Sequence, residues 1–365
     1  MVTDGLLYKP DWEQTKSFLN QWWDGENEGR CAIAVTARKA GSENMVPPPF
    51  PQKVEDRWLD FDYLQSMNEY HMQTTYFGGE AFPMWHAGYP GWDFIPMYLG
   101  LEIQLRETTG WFTSMFPEGA LADIDMNSYK LTSSSKWFSF GKKLAHFAVE
   151  KAHGKSIAGI QAIGGTGDTL AALRSTNSLL LDLHDDPDAV RKWELYLMDM
   201  WIEVFDNYYS ILKEGADGGT ANFMGMWAPG KFYVLQNDFS YMISTKMLED
   251  IFLPSLEKQL SYLDYTIYHV DGVGAFKHVD TLCLLPGLHA LQILPGEGKP
   301  SPLYYMDVLK KVQKAGKNLH ITIPAREVTV ALENLSAKGL YISTNCSTEE
   351  EARNIFKLAE HNSKI

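Results

Sequence analysis

From residue 265 onward the chain alternates between short β-type runs and helix-forming ones, and few folds accommodate that pattern. Strand-like stretches at 265–269, 288–294, 319–323 and 340–343 are separated by helical stretches near 276–284, 303–315 and 326–337, and a last helix is expected over 348–361. Gly316 and Gly339 stand where two of these helices should stop. A helix between consecutive strands carries the chain back to the starting end of the sheet, so the strands run parallel. A looser version of the alternation covers the upstream part, with strands near 31–36, 156–163, 219–226 and 232–236 and helices over 11–29, 136–152, 186–215 and 244–262. A further helix is expected from about 61 into 76–80. Asp186 suits the N-cap of the long helix and Pro187 its first turn. Counting from Cys31 gives about eight strands, so the expected fold is α/β, a (β/α)8 barrel with an N-terminal helical extension and long loops. An open doubly wound sheet is the alternative. No internal repeat or low-complexity tract interrupts residues 1–365, which read as a single domain.

In such a barrel the chemistry sits at the C-terminal ends of the strands. Those ends offer Gln161 and Asp168, Gln236 and Asp238, His269 and Asp271, Gln292 and Glu297, Thr322, and Cys346. Residues i and i+2 of a strand face the same side, so His269 and Asp271 can converge on one point just before the turn at Gly272. Imidazole and carboxylate are metal-ligand types, and Cys346, closing a later strand, is a third candidate. Ser347-Thr-Glu-Glu350 reads as a capping box, which sets the thiol just before a helix N-terminus, where the dipole favours thiolate. Gln236 and Asp238 repeat the i, i+2 spacing and are read as the groups that position substrate or move a proton. Gln161, Gln292 and Glu297 are expected to contact substrate. Gly164-Gly-Thr-Gly-Asp168 has neither the spacing of a dinucleotide fingerprint nor the lysine of a P-loop, so no nucleotide is assigned to it.

The net charge of −14 excludes a broad nucleic-acid or acidic-membrane surface but not a small-molecule ligand. Three cysteines without a C-x-x-C fit a reducing compartment. With no leader-like N-terminus and no apolar run of spanning length, a cytoplasmic location is expected, with no membrane partner. Eleven Trp, 18 Tyr and 18 Phe supply a large core. Where Trp sits among Gly and Pro, as over 84–92, the same residues suit a ligand pocket, and Trp85 and Trp227 are assigned to one.

These pieces together resemble the uroporphyrinogen decarboxylase superfamily, which includes the cobamide-dependent methyltransferases. The resemblance runs over roughly 130–361, with a fainter match near 31–41. It is carried by Gly164-Gly-Thr-Gly-Asp-Thr169-Leu, by Asp238…Ser244…Pro254, by Tyr268-His269-Val-Asp-Gly272 and by Ile342-Ser-Thr-Asn-Cys346. It implies a (β/α)8 barrel. The decarboxylases carry an early Arg-Gln-Ala-Gly-Arg that binds carboxylates; here Arg38 matches the first arginine and Ser42 replaces the second. The methyltransferase branch, closest in pattern, holds zinc with His-x-Cys and a late Cys. His269, Asp271 and Cys346 would fill those places, with Asp for one Cys. The resemblance therefore implies metal-assisted methyl transfer between a corrinoid, carried by a partner protein, and a small substrate. A decarboxylase or lyase acting on a small carboxylate held by Arg38, with Asp238 as its acid or base, is the second expectation. A non-enzymatic small-molecule binding protein is the third.

Overall fold

The computed structural model describes residues 5–363. Its centre is a seven-stranded sheet formed by β1 (Ala32–Arg38), β2 (Thr75–Gly79), β3 (Phe232–Gln236), β4 (Tyr265–Asp271), β5 (Ala290–Leu294), β6 (Asn318–Thr322) and β7 (Leu340–Cys346). The order is β2-β1-β7-β6-β5-β4-β3, and every neighbouring pair is parallel except β2 against β1. Helices join the parallel strands, so the fold is mixed α/β. Shorter pieces extend the pattern. Met84–Trp85 pairs in parallel with Ile157–Ala158, Gly159 bridges Ala221 in parallel, and Thr220–Asn222 forms a hairpin with Met226–Ala228. Of the strand expected over 156–163 only Ile157, Ala158 and, through a single bridge, Gly159 pair; Gly159 within it and the glycines at 164 and 165 just beyond weaken the remainder as a strand.

Two other elements differ from expectation. The helix beginning at Phe61 stops at Thr74, and the β-type run that follows becomes β2. Its end is anchored by Glu80, whose carboxylate takes both guanidinium nitrogens of Arg30, at 2.8 and 2.7 Å, and the N–H of Ile33. The helix expected over 244–262 is broken into Thr245–Met247, a π-turn over Leu248–Phe252, and Leu253–Tyr262. Pro254 has no N–H to return to the carbonyl of Asp250, and the backbone widens there. Among the described residues no helix is long and apolar enough to cross a membrane.

The two faces of the sheet are separated by strand alternation. Ile33, Leu235, Val270, Ile293, Ile321 and Ile342 belong to the apolar layer under the surrounding helices. Ala32, Phe232, Ile267, Ala290 and Tyr341 face the other way, onto the N-terminal helix α1 (Trp12–Trp23). Trp22 stacks edge-on against Tyr341 and Trp23 against Phe232, while Asn318 donates to the carbonyl of Trp22 at 2.6 Å. Each such tryptophan removes enough apolar surface to stabilise the fold by about 4–6 kcal/mol at ~25 cal/mol per Å². Helix α1 thus covers the starts of the strands on this inner face. Their ends, where the polar residues lie, are left to a cavity.

Candidate active site

On β4 the inner face presents Ile267, then His269, then Asp271. The parallel register sets His269 level with Gln236 of β3 and Gln292 of β5. Gln292, itself buried, joins its Oε1 to Nδ1 of His269. An amide oxygen only accepts, so Nδ1 carries a proton, and in the neutral tautomer the lone pair lies on Nε2. Nε2 lies 3.9 Å from Oδ2 of Asp271. Gly272 ends the strand with φ of +82°, and a Cβ there would sit 2.8 Å from the Tyr241 ring, so the turn that fixes Asp271 requires glycine.

Asp238 follows the end of β3 and completes the group. One ligand atom each from Asp238, His269 and Asp271 lie within 4.8 Å of one another. That nitrogen-and-two-oxygen set fits a divalent metal, with zinc, manganese or iron all compatible. Gln292 supplies the outer hydrogen bond that orients a ligating histidine.

Close packing explains the Gly164-Gly-Thr-Gly-Asp168 run. A Cβ on Gly165 would meet the Gln236 carbonyl oxygen at 2.1 Å, and one on Gly167 the Asn237 side chain at 2.4 Å. Without side chains there, the helix Thr166–Arg174 lies directly on the end of β3. Asp168 then accepts from the N–H of Phe239 at 2.9 Å and from Gln236 Nε2 at 3.4 Å. Burial, and next the neighbouring charge of Asp238, push the Asp168 carboxyl up; Asp238 reaches solvent, but the protein packed around it and then the charge of Asp271 raise it too.

These groups open into a cavity of about 850 Å³. Its aromatic walls are Tyr89, Phe94, Phe112, Phe223 and Phe239, and His269, Gln236, Asp168 and Asp238 line its polar side. Asp93 also lines it: 2% exposed, it accepts from the N–H of Ala162, and burial pushes it up to about 7. Nothing in the surrounding loop sequence marked Asp93, because no periodicity governs that stretch.

The structure does not bring Cys346 to His269 and Asp271. β7 runs through Cys346, and alternation turns its thiol to the outer layer with Ile342, Leu309, Val312 and Ala352. Burial, then the charge of Glu351, push the thiol up to about 11, against the expected thiolate. The helix cap is Thr348, not Ser347: Thr348 accepts from the N–H of Glu351, whose carboxylate takes the N–H of Ser347. Trp85 and Trp227 are core residues, their indole N–H groups donating to Gln65 and to the Ala216 carbonyl. Arg38 lies on the inner side of β1 but is exposed, and holds the 42–45 loop through the carbonyls of Ser42 and Met45. Gln161 is buried with an unpartnered Oε1, and Glu297 is exposed on the loop after β5.

No family model and no curated protein matches the chain.

Proposed function

We propose that the chain is an enzyme with a distorted (β/α)8 barrel of the uroporphyrinogen decarboxylase type, and that it assists methyl transfer between a small substrate and a corrinoid borne by a partner protein. The short parallel pairings of Met84–Trp85, Ile157–Ala158 and Ala221 support extending the sheet from β3 back toward its other edge at β2. The observation that carries the reading is the convergence of Asp238, His269 and Asp271 at the strand ends, with Asp238 and His269 lining a cavity. Those three residues would hold the metal, in place of the set ending in Cys346. When bound, the ion supplies a Lewis acid that polarises the substrate atom beside it. His269 offers Nε2 because Gln292 occupies Nδ1. With Asp238 engaged as a ligand, Asp168 and Asp93 are the cavity carboxyls left to hold a proton near neutral pH, and Asp168 is the one beside Asp238. The aromatic walls orient the substrate. The decarboxylase reading has less support: among the described residues no Lys or Arg lines the cavity, and Arg38 is engaged with loop carbonyls.

Metal analysis of the purified full chain, equilibrated with zinc and then dialysed, tests the site. Stoichiometric metal is expected in the parent and in Cys346→Ala, and loss of it in His269→Ala. A parent without metal, or loss in Cys346→Ala alone, sinks this assignment. For the chemistry, the visible spectrum of methylcobalamin should shift on demethylation with a suitable acceptor and not with His269→Ala protein.

A further inference from the structure

The cavity combines aromatic walls with two carboxyl groups that stand outside the proposed metal group, Asp93 and Asp168. Among the described residues neither Lys nor Arg lines it. Carboxyl groups taken from water without a positive partner are costly, and like charges facing one space repel. An anionic ligand would deepen that cost. A small hydrated cation would suit the carboxylates but leave most of about 850 Å³ and five aromatic rings unused. A neutral apolar ligand would fill the walls and leave the acids unpaired. A cation with an apolar periphery answers both, since ring faces attract positive charge and a carboxylate supplies the counter-charge.

We propose that the cavity binds an organic ammonium ion carrying alkyl substituents on nitrogen, with Asp93 as counter-charge and the aromatic rings around the substituents. Asp93 is the apt partner because it stands outside the Asp238–His269–Asp271 group and remains free when a metal is held there. The inference rests on reading this cavity as the substrate pocket above the metal site.

Calorimetric titration of the full chain with choline, and with its uncharged isostere in which a quaternary carbon replaces the nitrogen, tests it. Choline should bind at least about ten-fold tighter than the isostere. Asp93→Asn should cost choline about ten-fold and leave the isostere unchanged. Phe112→Leu, at a half-exposed position on the cavity wall, gives a second variant if Asp93→Asn fails to fold. It should weaken choline a few-fold and leave the isostere unaffected. Choline binding no tighter than the isostere, absence of binding by both included, overturns the proposal. So does a choline affinity indifferent to the substitutions. Metal content measured on the same samples separates the two readings. Metal without choline preference removes the ammonium ligand alone, and choline preference without metal removes the metal site alone.

Discussion

Glu194 shows what one residue can carry in this fold. It is 1% exposed, and one carboxyl oxygen accepts from Thr166 at 2.8 Å and Ser255 at 3.2 Å while the other has no partner. Burial pushes its carboxyl up to about 8. The folded protein therefore holds a proton that the unfolded chain releases at ordinary carboxylate pH. The stability this gives is complete below that range and is lost as pH rises toward about 8. Glu194→Gln keeps an accepting oxygen and removes the titration. Between about pH 6 and pH 8 the parent should lose on the order of 2 kcal/mol relative to the variant. Denaturant melts of both proteins at the two pH values would show it, and equal losses would mean that Glu194 ionises normally. Its burial was readable in principle, because it shares a helical face with Val190, Leu197 and Trp201. The proton it keeps was not, since that depends on the absence of a cation from elements distant in sequence.

Among the elements, those governed by local rules stand where the sequence puts them. Lys136–Ala152 and Phe232–Gln236 match their expected bounds, and Pro187–Leu212 begins at its expected cap. There Asp186 accepts from the N–H of Ala189 at 3.0 Å. Asp186→Ala should cost about 1 kcal/mol, seen as a lower urea midpoint with an unchanged slope. A shift indistinguishable from zero would show that water caps the helix equally well. Apart from the helix broken at Pro254 and the strand shortened by glycines near Ile157, the departures come from pairing between distant segments. β2 is a strand because β1 offers it an edge and Arg30 binds Glu80, neither of which the run Thr75-Tyr-Phe reveals by itself. β7 ends at Cys346, the residue expected to close it, and is held there by its partnership with β1 up to Ala37.

For the molecule as a whole, strand alternation decides which polar residues can meet. It was legible for His269 and Asp271, two residues apart on one strand. Cys346 lies on another strand, and only the register between strands fixes which side its odd or even positions face. Tyr341 and Ser343 face inward, where both contact the buried His320, so Cys346 faces out. All three cysteines are buried, and none lines the cavity. Burial raises the thiols of Cys31, Cys283 and Cys346 alike, so each stays protonated and poorly nucleophilic at neutral pH. Iodoacetamide at neutral pH should therefore leave the proposed metal binding intact, with mass spectrometry finding carboxamidomethyl groups only after denaturation. Rapid loss of metal on alkylation would place a thiol at the site after all. The proposed centre, built from imidazole and carboxylates with the chain's sulfur kept behind the sheet, is one that peroxide and electrophiles have little purchase on.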